Sequence, residues 1–253
     1  MSTDAPLSLE AILANLDPEQ REAVTAIRGP VCVIAGAGTG KTRVITHRIA
    51  YAIASGITDP QKVLALTFTA RAAGEMRARL RTLGVPNATA RTFHSAALKR
   101  LMYFWPYTFG GSFPSLLTMK SGFVTEALNR SDASFAPAAA TLREISSEIE
   151  WAKVMEIAPE DYVEMALGQG RTIRVPNNRG DKENLAEVAK VYDAYETLKR
   201  QERAIDFEDV LLLTVGMLEE DREVRERIRD QYRYFTVDEY QDVSPLQQRL
   251  LNL

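Results

Sequence analysis

Cysteine is almost missing from this chain. Cys32 is the only one in 253 residues, so no internal disulfide can form. It lies in a run of strand-forming residues, where a buried and inert thiol is expected. Long apolar runs are missing as well. The longest, Val210 to Leu218, is broken by Thr214 and Gly216 and falls far short of the ~20 residues that cross a bilayer. The opening Met-Ser-Thr-Asp-Ala-Pro has no basic region followed by an apolar core, so no secretory signal is expected. No internal repeat or low-complexity stretch occurs. These absences point to a cytoplasmic protein of one large domain or two small ones, with no membrane partner. A strong net charge is absent too, but the value of −3 hides an asymmetry: residues 1–100 carry a balance of +6 and residues 101–253 one of −9. A basic front third permits an anionic partner without requiring one.

The most informative stretch is Val31 to Thr42, VCVIAGAGTGKT. Its β-prone residues predict a strand, its glycines a tight loop, and the spacing of Val44, Ile45, Ile49 and Ile53 a helix. Strand, glycine-rich loop, then Lys-Thr at a helix start is the Walker A pattern, with Ala35 in place of the usual first glycine. The residue types suit phosphate. Gly36, Gly38 and Gly40 reach backbone angles closed to other residues. The N–H groups of Gly36, Ala37, Gly38, Thr39 and Gly40 can then face an anion at the positive end of the helix. Lys41 would reach the β- and γ-phosphates of ATP, and Thr42 would ligate Mg²⁺; Arg43 completes the candidate nucleotide set. A glycine-rich turn that binds nothing is the bland alternative.

The rest of the chain alternates. Asp17 and Pro18 start a helix at Leu16 to Val24. Strands are predicted at Val63 to Thr69 and Thr89 to Phe93. Helices are predicted at Ala70 to Leu83, with Ala73, Met76 and Leu80 inward, and at Ala96 to Met102. Strands alternating with helices around a P-loop give an α/β fold with a parallel sheet and helices on both faces. From Trp105 the character changes. Residues 115 to 200 offer helices near 120–130, 139–155, 159–167 and 184–201 and no strand. In the last, Leu185, Val188, Tyr192, Tyr195 and Leu198 form one stripe. The aromatics from Tyr103 to Phe113 could stack on bases, but a packed junction is the better reading of them. Arg171, Arg174 and Arg179 form a basic loop that could grip duplex backbone or be a solvated loop. Asp206 caps a further helix, and Glu219 to Asp230 alternates charges as a solvated helix does. Tyr234 to Val243 reads as a buried strand ending in acids, and Pro245 opens a final helix.

Asp238-Glu239 at that strand end is the second half a P-loop ATPase needs. Asp238 could hold Mg²⁺ beside Thr42, and Glu239 could orient and deprotonate the attacking water. Here the chain resembles the superfamily 1 DNA helicases of the UvrD/Rep/PcrA type. Val237-Asp-Glu-Tyr-Gln-Asp242 with Pro245-Leu-Gln247 is similar to their motif II, Ala35 to Thr42 to motif I, and Leu16 to Val24 to the adenine-sensing Q motif. Thr67 to Met76 is similar to motif Ia, with Ala70 where the family usually has Asn. Thr92-Phe-His-Ser95 is similar to motif Ib, and Asp206 to Leu212 to the short motif after the helical insert.

The resemblance implies a P-loop NTPase of the RecA-like type with an inserted helical subdomain: residues 1–108 and 206–253 as the ATP-binding domain, 109–205 as the insert. It implies a catalytic set of Lys41, Asp238, Glu239 and Gln241, the last coupling γ-phosphate state to movement. Gln20 would read the adenine edge, and Thr67, Phe68, Arg71, Thr92 and His94 would line a single-stranded DNA track. The expected cofactors are ATP and Mg²⁺. The expected partners are single-stranded DNA, junctions with duplex, and a second RecA-like domain beyond Leu253. The expected function is an ATP-dependent 3′–5′ helicase or translocase in repair or replication, the 253 residues alone being inactive. A nucleotide-binding module without turnover is the alternative. A phosphotransferase is opposed by the Asp238 to Asp242 run and the Thr-Phe-Thr strand end.

Overall fold

The computed structural model describes residues 8–36, 38–175 and 180–253. In chain order the elements are α1 (Leu9–Leu13), α2 (Pro18–Thr25), α3 (Lys41–Ala54), β1 (Val63–Thr67), α4 (Ala70–Thr82), β2 (Thr89–Thr92), α5 (Phe93–Thr108), β3 (Ser115–Leu116) and α6 (Ser121–Arg130). They continue with α7 (Ala139–Val154), α8 (Tyr162–Gly168), α9 (Asp181–Gln201), β4 (Ala204–Ile205), α10 (Phe207–Glu220), α11 (Arg222–Gln231), β5 (Tyr234–Val237) and α12 (Pro245–Asn252). Two compact units result: Met1–Ala96 with Asp221–Val243, and Ala97–Glu220 with Ser244–Leu253. Compactness therefore divides the chain at other points than 108/109 and 205/206.

The first unit holds a parallel sheet in the order β2-β1-β5. The central strand β1 is buried at all five positions, as a parallel strand covered on both faces must be. Val63, Ala65 and Ala90 of the sheet pack with Ile49 and Ala50 of α3 and with Met76 and Leu80 of α4. These are the inward positions that helical spacing predicts for α4. Thr69 starts that helix, its hydroxyl accepting from the Ala72 N–H at 3.1 Å.

The second unit is helical. Val124, Ile145, Ile149, Tyr162, Leu185, Val188 and Tyr195 are among the residues of its core. The whole predicted stripe of α9 is buried. A set of charges is buried with it. Asp206, fully enclosed, accepts from Lys153 Nζ at 2.8 Å, Lys199 Nζ at 3.1 Å and Tyr195 Oη at 3.0 Å. Asp206 also caps α10, its other oxygen taking the Asp209 N–H at 2.9 Å.

Four expectations need correction. Residues 31–36 form no ladder with the three described strands of the sheet; Ile34 is 96 % exposed, and Cys32 is exposed rather than buried. Apolar, β-branched composition makes a segment fit for a sheet, but a strand exists only where its N–H and C=O groups meet a neighbour. Likewise β5 stops at Val237 and is only partly buried. A strand does occur between 115 and 200: Ser115–Leu116 pairs in parallel with Ala204–Ile205, an arrangement too short to leave a pattern in sequence. The helix expected at 96–102 runs from Phe93 to Thr108 with Pro106 inside it. The Thr92 hydroxyl accepts from the Ser95 N–H at 3.1 Å and so starts that helix early.

Candidate nucleotide and nucleic-acid site

Gly38 and Gly40 take φ values of 78° and 87°, the left-handed region where a side chain is strained. At Gly40 a Cβ would also lie 3.1 Å from Gln20 Nε2. Glycine therefore lets the loop turn and lets α2 come close. Thr39 braces the turn, its hydroxyl donating to the Gly36 carbonyl at 2.8 Å. Lys41 and Thr42 then open α3, at the end of the helix where backbone N–H groups have no helical partner. Ala37, one of the expected phosphate contacts, lies outside the described residues, as do Arg179 and residues 1–7.

Gln20 is fixed at both ends of its amide. Oε1 accepts the Asp17 N–H at 3.3 Å, one arm of a capping box on α2, and Nε2 donates to the Thr39 carbonyl at 3.0 Å. The polarity of the amide follows from these two main-chain groups. One N–H and one lone pair remain for another partner. Arg43 is differently engaged: its guanidinium donates to the Asn15 carbonyl. Arg48 donates to the Ala23 and Ala26 carbonyls at the end of α2. Both arginines tie α3 to the α1–α2 segment, which sequence reasoning did not foresee.

The two halves of the expected site meet. Lys41 Nζ lies 3.7 Å from Glu239 Oε1, and Gln241 Nε2 donates to Glu239 Oε2 at 2.6 Å. Asp238 follows β5; its N–H donates to the Leu66 carbonyl at 2.9 Å, which pins it beside the end of β1. Asp238 is buried, and burial, then the adjacent Glu239 carboxylate, push its carboxyl up from the ordinary aspartate value. A buried carboxylate beside a second acid suits a divalent cation, and Thr42 offers a hydroxyl of the same hard-oxygen type. Glu239 has φ 49°, a conformation that costs an L-residue ~1–2 kcal/mol. Such strain gathers at functional positions.

The residues expected to face DNA differ in their placement. Phe68 is half-buried, its ring 5.7 Å from that of Phe93, which supports it from one side. Arg71 is exposed and paired with Glu75 at 2.9 Å. Thr92 and His94 flank the start of α5, both half-buried. Thr67 is a correction: it is buried in β1, so its side chain offers nothing to a strand of DNA. Arg171 is another. It is held by Glu148, Nε to Oε2 at 3.0 Å and Nη2 to Oε1 at 2.6 Å, and stacks 4.2 Å over Trp151. It is a fastener of the helical unit, because a bidentate carboxylate and an aromatic face satisfy a guanidinium better than water-screened phosphate does. The carboxylates of Glu196, Asp206 and Asp209 are close enough to share a cation. Lys153 and Lys199 already stand among them, however, and supply that charge.

A parallel sheet, a glycine turn with Lys-Thr at a helix start, and an acidic pair beyond the neighbouring strand define a P-loop α/β protein. The chain belongs to the UvrD/REP helicase N-terminal domain family, whose model matches residues 16–253. It is 46 % identical to the ATP-dependent DNA helicase UvrD2 of Mycobacterium tuberculosis, an alignment covering 97 % of this chain and 35 % of that protein. It is 32 % identical to the ATP-dependent DNA helicase PcrA of Leuconostoc citreum, over 98 % of this chain and 32 % of that protein, and 32 % identical to PcrA of Bacillus subtilis, over 95 % and 31 %. The chain thus spans about a third of the length of these relatives. Among the described residues, no helix is long and apolar enough to cross a membrane.

Proposed function

We propose that this chain is the nucleotide-binding portion of an ATP-dependent DNA helicase that moves 3′ to 5′ on single-stranded DNA and acts in the cytoplasm in repair or replication. The observation that carries the reading is the meeting of Lys41 and Glu239 at 3.7 Å. It joins the glycine loop to the acidic strand end, the arrangement that ATP hydrolysis needs. The names and coverage of the relatives support the helicase part.

In this reading Gly36 to Thr42 cradle the phosphates, Lys41 meets the β- and γ-phosphates, and Gln20 offers its remaining N–H and lone pair to adenine N7 and N6. Thr42 and Asp238 would hold Mg²⁺, which when bound neutralises phosphate charge. Glu239 takes the proton of the attacking water, and Gln241, bonded to it, senses whether a γ-phosphate is present. Phe68 stacks on a base, while Arg71, Thr92 and His94 contact the backbone of single-stranded DNA or of its junction with duplex. The functional division is a RecA-like part, residues 1–108 and 206–253, around a helical insert at 109–205.

The 253 residues alone bind Mg-ATP weakly and turn over little. In this reading hydrolysis is shared with a second RecA-like domain, and an arginine finger contributes ~10³–10⁵ in rate in other nucleotide hydrolases. The deciding experiment is phosphate release from a chain extended past Leu253, with and without single-stranded DNA. DNA-stimulated release is expected. Nucleotide binding with no release under any condition would favour a module without turnover.

A further inference from the structure

The exposed face of α5 has an unusual make-up. Lys99, Met102, Tyr103, Pro106 and Tyr107 recur at the i, i+3, i+4, i+7, i+8 spacing that puts residues on one side of a helix. In a surface helix such an apolar stripe turns inward. Here the inward face is a different one, formed by Phe93, Ala97, Leu101 and Phe104. The outward stripe stays open: Tyr103 is 61 % and Tyr107 79 % exposed, and Met102 and Phe109 are exposed as well. This corrects the expectation of a packed junction, since only part of the aromatic run is packed. Phe104 is buried, and Trp105 lies 4.5 Å from Phe109 and 5.1 Å from Phe113, ring centre to ring centre. The Phe104 ring stands T-shaped to that of Tyr103 at 4.9 Å, so Tyr103 is held by its buried neighbour while staying largely exposed.

The sequence that carries this stripe has charge of one sign. From Met76 to Thr125 the sequence has seven Lys or Arg and no Asp or Glu, in a chain whose net charge is −3. A helix from another protein would be met by aliphatic side chains. Exposed tyrosines on a helix that carries Lys99, inside fifty residues without an acid, instead suit a polyanion with flat apolar faces. We infer that the Tyr103–Tyr107 face of α5 is a base-stacking surface for single-stranded nucleic acid, additional to the Phe68 position. The inference rests on the proposed DNA function only for the class of partner. Stacking carries the interaction, and Lys99 on the same exposed face meets the backbone.

The test is binding of the purified chain to a labelled oligo-dT of ~12 nucleotides, a length within the known range of single-strand sites, beside an abasic strand of equal length, followed by anisotropy over a range of salt. The variants are Tyr103→Ala with Tyr107→Ala, the same pair changed to Phe, and Phe68→Ala. The alanine pair is expected to weaken oligo-dT binding by roughly tenfold or more, the order that stacking gives per base. Affinity for the abasic strand and the salt slope should stay as they were, and the phenylalanine pair should restore binding because the rings return. Both tyrosines are exposed, so unchanged melting serves as the folding control. Wild-type affinity of the alanine pair for oligo-dT would overturn the stacking surface alone, leaving the Phe68 reading to stand or fall on its own variant. Equal losses on both strands would also overturn it, as would wild-type self-association abolished by the alanine pair, which would make the stripe a contact between copies. Failure of the wild-type chain to bind either strand would overturn the nucleic-acid reading and this inference together.

Discussion

Lys41 Nζ stands 3.7 Å from Glu239 Oε1, so the first residue of α3 and the residue two places after β5 share one small volume. Both side chains are about one-third exposed, so the pair itself is worth little to stability. Its meaning is positional. A cation that could have extended into solvent lies instead beside the acid that follows β5.

Replacing that cation separates folding from binding. Lys41→Ala removes one half of an exposed ion pair, a change within about 0.5 kcal/mol for a surface position, and should leave the melting curve in place. In a chain extended past Leu253, tight binding of Mg-ATP should disappear, because the charge that meets the β- and γ-phosphates is gone. Calorimetry with ATP and Mg²⁺ on both proteins checks this, and equal affinities would remove Lys41 from the phosphate site.

The neighbouring acids should part company. In an extended chain Asp238→Ala should weaken Mg²⁺-dependent nucleotide binding, and Glu239→Gln should keep binding while stopping hydrolysis, since an amide cannot take a proton from water. The pH dependence has a defined sign. Burial and Glu239 raise the Asp238 carboxyl, so it is protonated, and lost to a cation, at a higher pH than an ordinary aspartate. Mg²⁺-dependent binding measured down a pH series should begin to weaken at a higher pH than an ordinary aspartate would give. Glu239→Gln removes the like charge and should move that onset down.

Much of this was legible in the sequence, for physical reasons that differ by region. Ala73, Met76 and Leu80 in α4 and the stripe of α9 are buried where periodicity puts them, because a helix declares its inner face locally. Residues 31–36 have strand composition and form no strand, because a strand depends on a neighbour that local sequence does not contain. Arg171 was misread for a similar reason: a basic loop looks solvated until Glu148 and Trp151, some twenty residues earlier, are seen beside it. The resemblance assigns Gln20 to adenine, yet its tie to the Thr39 carbonyl joins residues nineteen apart, which no spacing rule predicts.

The buried charges of the helical unit give a stability prediction. Sequence shows Asp206 only as a helix cap, whereas the fold sets Lys153 and Lys199 on one of its oxygens. Burial disfavours the Lys153 ammonium, but Asp206, Asp209 and Glu196 outweigh that and raise its proton affinity; Asp206 is held well below the usual carboxylate range by the two lysines, against its own burial. Asp206→Ala leaves two buried ammonium groups short of a partner and should cost ~3–5 kcal/mol. Lys153→Met removes one cation and keeps the volume; with Lys199 still on Asp206 it should cost less. Denaturant unfolding of the three proteins checks the order. An alanine variant as stable as the wild type would mean that the network does not hold the unit together.

Gln20 allows the helix cap and the nucleotide contact to be tested apart. Its Oε1 caps α2 through the Asp17 N–H, and its Nε2 holds the Thr39 carbonyl. Gln20→Glu keeps an oxygen for Asp17, so α2 retains its cap, but it sets a second oxygen against Thr39 and has no N–H to offer adenine N7. Gln20→Ala loses both contacts. Both bonds are exposed to water, and a net hydrogen bond is worth ~1 kcal/mol. Gln20→Glu should therefore melt near the wild type yet bind ATP roughly tenfold more weakly. Gln20→Ala should lose affinity and some stability together. Binding of GTP, whose base edge has an acceptor in place of the N6 amine, should respond less than ATP to either change. Parallel melting curves and nucleotide titrations supply the comparison. If Gln20→Glu binds ATP as the wild type does, the amide serves the loop and the cap alone, and the base is read elsewhere.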